Sequence, residues 1–173
     1  DPLTGLANRG HLEQRLQEAQ SAAQRHKRPA ALLMFDLDHF KKVNDTYGHA
    51  VGDRMLQAFA RVLRHNLRPT DFIARYGGEE FIAILPDTSL DTAVKVAERI
   101  RQAWAHTQLP IDDQGKVISG TVSIGVAPLD PDAPLDESLA RVDEAMYRAK
   151  REGRNQVALP PTGNKRLEAG VCS

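Results

Sequence analysis

The sequence has almost no cysteine, no net charge and no long apolar run. Each of these features excludes a class of protein. Cys172 is the one cysteine among 173 residues, so an intrachain disulfide framework is excluded and a reducing compartment is indicated. Basic and acidic residues both number 23, so no overall field attracts nucleic acid or an anionic membrane surface. No apolar run approaches the length of a membrane span. These shortages predict a cytoplasmic domain that binds neither nucleic acid nor a membrane directly.

The spacing of apolar residues predicts helices interleaved with strands. Helices are predicted at about 11–27, through Val43 to about Tyr47, over 56–67, from a Ser89 cap to Trp104, and over 135–149. Strands are predicted at 30–36, in a hairpin over 72–85, along Val117–Val126, and at 156–159. This pattern indicates an α/β (α+β) fold in which helices surround a mixed central sheet. We expect one domain over 1–159 and a disordered tail over 160–173.

A glycine and glutamate motif joins the two strands of the predicted hairpin. It reads Arg75-Tyr76-Gly77-Gly78-Glu79-Glu80-Phe81. A Gly-Gly pair suits a two-residue turn, because glycine tolerates positive φ and lets a ligand approach the backbone. Glu79 and Glu80 then lie at the hairpin tip, where two carboxylates contribute nothing to a core. Taken alone, the motif is also explained by a solvated turn with two surface acids.

Two aspartates end the predicted strand at 30–36. The apolar run before them is typical of a strand buried on both faces, and Asp36 and Asp38 lie on the same side if the strand continues. Mg²⁺ takes one or two carboxylates together with substrate phosphates, so Asp36 with Glu79 or Glu80 is a candidate metal site. Asp38 directly precedes a helical pattern, so it is explained either as a helix N-cap or as a further ligand.

With the opening Asp1-Pro2-Leu3-Thr4-Gly5-Leu6-Ala7-Asn8-Arg9 and the closing Gly153-Arg154-Asn155, these segments resemble a GGDEF domain in its GGEEF spelling. GGDEF domains are the catalytic domains of diguanylate cyclases, and the resemblance covers nearly the whole chain. It implies a fold similar to the palm of nucleotide cyclases and polymerases. It also implies condensation of two GTP into cyclic di-GMP with release of pyrophosphate, Mg²⁺ or Mn²⁺ as cofactor, and a catalytic homodimer because each subunit binds one GTP.

The resemblance assigns roles at the reaction centre. It implies that Asp36, the Leu37 carbonyl, Glu79 and Glu80 hold the metal ion, and that Glu79 also acts as base for the 3′-hydroxyl. The implied substrate-binding residues are Phe40, Lys41, Asn44, His49, Asp53, Gly77, Gly78, Lys150 and Arg154.

Each of these substrate residues also has a structural explanation. Asn44 and Asp53 match guanine-contact positions, but Asn44 could bond a local turn and Asp53 could cap the following helix. The three basic residues match phosphate-binding positions and could instead form a solvated face. Phe40 and His49 could serve ordinary packing.

A second site is suggested by Arg68-Pro69-Thr70-Asp71, just before the predicted hairpin. An Arg-x-x-Asp pattern alone carries little information, since such pairs are common on surfaces. In the family it is an inhibitory site for cyclic di-GMP, and Arg99 matches a secondary contact. Arginine can bind phosphate or the acceptor edge of guanine, and aspartate can accept from guanine donors. The resemblance therefore implies product feedback.

Two other functions fit the sequence less well. A catalytically silent receptor for GTP or cyclic di-GMP, acting through a protein partner, would be expected to have a damaged glycine and acid motif. A cyclase with altered base choice would be expected to lack Asp53. The chain starts inside a motif without an initiator methionine, so we expect a fragment that lacks an upstream sensor domain. Such missing segments could anchor the parent protein to a membrane.

Overall fold

The computed structural model describes residues 1–161, and residues 162–173 lie outside the described part, as does most of the tail predicted over 160–173. The helices are α1 (Arg9–His26), α2 (Phe40–Tyr47), α3 (His49–Asn66), α4 (Leu90–Ala105) and α5 (Leu135–Arg151). The strands are β1 (Ala31–Leu37), β2 (Phe72–Arg75), β3 (Glu80–Leu85), β4 (Leu109–Pro110), β5 (Val117–Ile118), β6 (Val122–Pro128) and β7 (Val157–Ala158). The Ser89 cap is confirmed, because its side chain accepts from the Thr92 amide.

The central sheet is mixed, as predicted. Its strand order is β2-β3-β1-β6-β7, with β1 antiparallel to both β3 and β6, and β7 parallel to β6. Every residue of β1 is buried, because helices cover both faces of the sheet at its centre. The predicted fold class is therefore confirmed.

Alternate residues of β1 belong to two different hydrophobic cores. Leu33 and Phe35 pack with α3 and α4 around Phe59, whose ring centroid is 5.7 Å from Phe35 and 5.2 Å from Trp104. Leu32 and Met34 pack on the opposite face with residues of α1 and α5. The alternation follows from the two-residue period of a strand. It places Asp36, which is in phase with Leu32 and Met34, on the face that α5 covers.

The strand predicted along Val117–Val126 is wrong as a single element. Ile118 pairs with Leu109 in the small β4-β5 sheet, whereas Val122 pairs with Leu37 in the central sheet. The chain changes sheets at Ser119-Gly120-Thr121, because different partners compete for the two ends of the run.

None of the helices in the described range 1–161 is long and apolar enough to cross a membrane.

Candidate functional site

The glycine loop between β2 and β3 is wider than predicted. Arg75 and Phe81 are the last paired residues of the hairpin, so residues 76–79 form the connection. The Tyr76 and Gly77 amides both donate to the Glu80 carbonyl, at 2.8 and 3.2 Å. Neither Gly77 nor Gly78 has φ in the left-handed region. The predicted two-residue turn is therefore wrong, because the Glu80 carbonyl closes a longer loop.

Arg75 holds this loop through hydrogen bonds, and this role was not among the predictions from the sequence. Its Nε and Nη2 atoms donate to the Gly78 carbonyl at 3.2 and 2.8 Å, and Nε also lies 3.3 Å from the Gly77 carbonyl. Its Nη1 pairs with Asp1 at 3.4 Å, and the two side chains are 22% and 15% exposed. The sequence signal for this contact is an arginine two residues before a pair of glycines. Its partner Asp1 lies too far away in sequence to be inferred.

Asp36 is the buried acid of the site. It lies opposite Glu80 in the β1-β3 pairing, and its side chain is 4% exposed. Lys150, near the end of α5, places Nζ 2.7 Å from Asp36 Oδ2. The other oxygen, Oδ1, is buried and has no hydrogen-bond partner among the described residues. An unsatisfied buried carboxylate oxygen is costly, which indicates a position prepared for a further ligand.

The acids of the site perturb one another. Burial raises the pKa of Asp36 from 3.8 to about 6, the ion pair with Lys150 opposes the rise, and the charges of Glu79 and Glu80 add to it. Burial also raises the pKa of Glu80, the charges of Asp143 and Glu79 add to that rise, and the charge of Lys150 and a side-chain contact with Asp36 oppose it. A bound cation would stabilise the ionised form of both groups. The electrostatics therefore favour cation binding between β1 and the start of β3.

Asp36 should make the stability of the metal-free chain fall as the pH rises. An acid with a raised pKa in the folded state stabilises the fold fully below its unfolded pKa and loses that contribution as the pH rises through the folded value. A rise from 3.8 to about 6 corresponds to a loss of roughly 3 kcal/mol. Asp36→Asn should therefore be more stable than wild type above pH 6, with a gap that closes towards pH 4. Denaturant unfolding in EDTA from pH 4 to 8 measures this gap, and parallel curves would contradict the account.

A metal ion at this site would need ligands beyond the protein side chains. Within residues 1–161, no group of three Asp, Glu, His or Cys side chains is already gathered to hold a metal ion. Asp36 Oδ1 is nevertheless free, and the Leu37 amide donates to the Glu79 carbonyl at 3.2 Å, which holds the loop against the end of β1. Mg²⁺ commonly uses one or two carboxylates together with phosphate oxygens. The residues present therefore fit a hard divalent cation that takes its remaining ligands from outside the protein.

Asp38 is not the N-cap of α2, so that explanation is wrong. His39 takes the cap position in a left-handed conformation, with φ of 57° and without a side-chain cap. Asp38 instead accepts hydrogen bonds from Thr121 Oγ1 at 2.8 Å, Ser123 Oγ at 2.7 Å and the Asn155 amide at 3.0 Å. The segment that enters β6 competes successfully for the carboxylate, because it offers two hydroxyl donors, Thr121 just before the strand and Ser123 within it.

The residues expected to contact guanine lie on α2 and α3. An added Cβ at Gly52 would be 1.8 Å from Asn44 Oδ1, so any larger residue there would force the Asn44 side chain to move. Asn44 makes no side-chain hydrogen bond within the described residues. Asp53 is exposed, and because α3 begins at His49 with Gly48 as its cap, Asp53 does not cap that helix. Both residues are therefore available to a ligand.

The remaining predicted substrate residues differ in exposure. Phe40 is 9% exposed and belongs to the hydrophobic core, whereas His49 is exposed at the start of α3. Lys41 is exposed on α2, and Arg154 is exposed just after α5. Helix α5 brings Lys150 to Asp36, whereas Lys41 forms no ion pair with the acids among the described residues. The structure therefore gathers the acids, the glycine loop and Lys150 most closely.

Arg68 and Asp71 form a compact pair at the far end of β2 from the glycine loop. Arg68 Nη2 lies 2.8 Å from Asp71 Oδ1, and it also donates to the Pro86 carbonyl and Thr88 Oγ1 at 2.8 and 2.9 Å. The hydrogen bond to Asp71 raises the pKa of Arg68 further. Arg99 on α4 donates to the Asn66 carbonyl, which places it near Arg68. The structure thus assembles this second cluster separately from the acids.

The sequence matches the family model described as "Diguanylate cyclase, GGDEF domain" over residues 1–156. It is 44% identical over 161 residues to diguanylate cyclase DgcP of Pseudomonas aeruginosa, covering 92% of this chain and 23% of that protein. It is 41% identical over 158 residues to response regulator PleD of Caulobacter vibrioides, covering 91% of this chain and 35% of that protein. The chain therefore spans only about a quarter to a third of the length of these curated relatives.

A solved structure agrees with the sequence comparisons. The GGDEF domain of DgcB from Caulobacter crescentus, determined in complex with c-di-GMP, superposes with a TM-score of 0.87 and 36% sequence identity. The match covers 91% of this chain and 93% of that one. The similarity therefore extends over the described sheet and helices rather than over isolated motifs.

Proposed function

The chain belongs to the diguanylate cyclase GGDEF domain family, and we propose that it condenses two molecules of GTP into cyclic di-GMP and pyrophosphate. The single observation that carries this proposal is the cluster of Asp36, Glu80 and Lys150. Its buried carboxylate is paired with one cation and keeps one oxygen free of hydrogen bonds among the described residues. A silent receptor that binds only cyclic di-GMP, away from these acids, would not need this costly arrangement of charges.

In the proposed reaction, the 3′-hydroxyl oxygen of one GTP forms a bond to the α-phosphorus of the other. The bond from that phosphorus to the bridging oxygen breaks, and pyrophosphate leaves with the electron pair. The same step with the roles of the two nucleotides exchanged closes the ring, so two pyrophosphates are released per cyclic di-GMP. Glu79 accepts the hydroxyl proton, which its half-buried position in the loop before β3 permits. Phosphoryl transfer needs mostly positioning and charge stabilisation, and this site offers both.

Asp36, the Leu37 carbonyl, Glu79 and Glu80 would hold Mg²⁺ or Mn²⁺, which when bound offsets the charge of the phosphates. Lys150 and Arg154 would bind phosphate oxygens from the end of α5, and Lys41 would do so from α2. Asn44 and Asp53 would read the guanine edge, because amide and carboxylate oxygens accept from its N–H groups. The exposed Gly77 and Gly78 leave room for the nucleotide to approach the loop.

The reaction needs two subunits, since each domain offers one set of acids and one candidate base-reading pair. We propose a homodimer in which two such sites face each other, formed at least during turnover. The rate per chain should then rise with protein concentration before it saturates, and liquid chromatography of the products would measure this. A rate per chain that is constant down to low concentration, from a chain that sediments as a monomer, would overturn the dimer.

We also propose that Arg68 and Asp71 bind cyclic di-GMP as a product inhibitor, with Arg99 as a secondary contact. The exposed face of the Arg68 guanidinium can bind phosphate or guanine while Asp71 fixes its orientation. β2 joins this cluster to the glycine loop, over about 13 Å at the usual rise of a strand. Binding at one end of β2 can therefore affect the loop at the other end.

Arg68→Ala should raise the inhibition constant for cyclic di-GMP by about 5- to 150-fold, since a good arginine contact to guanine contributes about 1–3 kcal/mol. Uninhibited turnover should change little. Initial rates at increasing cyclic di-GMP measure the constant, and Arg61→Ala, an exposed arginine on α3, is the matched control. An unchanged inhibition constant in Arg68→Ala would rule out this site.

A further inference from the structure

The turn after α5, Gly153-Arg154-Asn155, has an unusual backbone conformation. All three residues have positive φ, at 124°, 63° and 46°. The left-handed region suits glycine, but it is unfavourable for a residue with a Cβ, so two successive non-glycine residues there need external support. Arg154 is the phosphate-binding candidate of this turn, and it is exposed. Whatever holds the turn therefore also determines where the Arg154 guanidinium can reach.

Two side chains from distant parts of the fold hold this turn at Asn155. Asp38, at the end of β1, accepts the Asn155 amide through Oδ2 at 3.0 Å. Arg101, on α4, donates from Nη1 to Asn155 Oδ1 at 2.9 Å. Asp38 is itself fixed, because it is 5% exposed and both of its oxygens accept hydroxyl groups of Thr121 and Ser123. The turn is thus tied to β1, to the start of β6 and to α4 at the same time.

We propose that Asp38 is a positioning residue for the proposed cyclase, acting through the 153–155 turn to hold Arg154 at the nucleotide phosphates. Arg101 supports the same turn from its other side. Asp38 does not touch substrate in this role, and it differs from Asp36, whose carboxylate pairs with Lys150. The inference rests on the proposed function, because it requires Arg154 to bind phosphate.

Asp38→Asn and Asp38→Ala separate the hydrogen bonds of Asp38 from its charge, since both substitutions remove the charge. In Asp38→Asn, the amide oxygen can take the place of Oδ2 and accept from Thr121 and Asn155. The amide nitrogen can take the place of Oδ1 and donate to Ser123, whose hydroxyl is able to rotate. Asp38→Ala removes all three acceptor contacts. A difference between the two variants therefore reports the hydrogen bonds.

The test is a double-mutant cycle on binding of a non-hydrolysable GTP analogue with Mg²⁺, measured by titration calorimetry. Arg154→Ala should weaken binding about tenfold, as expected for one charge-assisted contact to phosphate. Asp38→Ala should weaken it by about three- to tenfold, and Asp38→Asn by less than about twofold. Asp38→Ala combined with Arg154→Ala should bind no more weakly than Arg154→Ala alone, because coupled residues give non-additive effects.

Independent, multiplying effects of Asp38→Ala and Arg154→Ala would overturn the inference, and so would equal losses in Asp38→Ala and Asp38→Asn. If Asp38→Ala does not fold, Arg101→Ala replaces it in the same cycle, since it removes the other side-chain contact to Asn155 while leaving Asp38 in place. An additive result there overturns the inference as well. Failure of the wild-type chain to bind the analogue would overturn the proposed function together with this inference, whereas normal wild-type binding with additive effects overturns the inference alone.

Discussion

Glu79→Gln is expected to lower the rate of cyclic di-GMP formation by about 10² to 10⁴-fold, the usual contribution of a positioned general base. Glutamine has the same shape but cannot accept the proton of the 3′-hydroxyl, and it is a poorer ligand for a hard cation. The fold should not change, because the contact that Glu79 makes with β1 uses its backbone carbonyl, which accepts from the Leu37 amide.

Three measurements distinguish this result from simple unfolding. The free energy of unfolding of Glu79→Gln should lie within about 0.5 kcal/mol of wild type, as for substitutions away from packed contacts. The variant should still bind a GTP analogue, while Glu13→Gln, on the exposed face of α1, should retain full activity. Normal product formation by Glu79→Gln would remove Glu79 from the reaction and make Asp36 and Glu80 the next acids to test.

Gly125→Ala is expected to be the most destabilising single-methyl substitution of the central sheet. A Cβ at this position of β6 would lie 2.3 Å from the Met146 amide nitrogen, 2.5 Å from the Val142 carbonyl oxygen and 2.9 Å from the Ala145 carbonyl carbon. These are backbone atoms of α5, so a change of rotamer cannot relieve the contact and the helix must move. The expected loss is about 3 kcal/mol, the upper end of the usual cost of overpacking.

Movement of α5 should also impair the candidate site, because this helix carries Lys150 to within 2.7 Å of Asp36. Thermal unfolding should show a fall of roughly 6–12 °C in the melting temperature. Gly78→Ala is the matched control for stability, since an added Cβ there meets nothing within 4 Å. Equal stability of Gly125→Ala and wild type would mean that α5 packs more loosely on β6 than the structure indicates.

The architecture could largely be predicted from the sequence, because local patterns determine it. The apolar run before Asp36 is long enough to identify a central strand, and the stripe of apolar residues from Ala93 to Trp104 identifies a packed helix. Pairing partners were harder to infer. The change of sheet at Gly120 depends on which strand pairs with each end of the run. The wide loop at Gly77 depends on which carbonyl accepts the hydrogen bonds that close it. Residue spacing does not contain that information.

The candidate site, like the fold, could be predicted only in part. The acids Asp36, Glu79 and Glu80 stand out because buried strands and tight turns seldom need them. The contacts that support the site could not be predicted from the sequence, because they join segments that are distant in the chain. Asp1 reaches Arg75, and Asp38 reaches Asn155, only after the sheet has formed. A requirement such as the missing side chain at Gly125 becomes visible only when the packed helix is in place.

The most direct test of the central claim is to identify the product that the chain makes from GTP. A dimeric coiled coil fused before Asp1 would keep two copies together, and the fusion would be incubated with GTP and Mg²⁺ and resolved by chromatography and mass spectrometry. We expect cyclic di-GMP and pyrophosphate in a ratio of one to two, and the loss of both in Glu79→Gln. Absence of cyclic di-GMP with either Mg²⁺ or Mn²⁺, from a fusion that is dimeric and binds a GTP analogue, would contradict the cyclase and leave a nucleotide receptor.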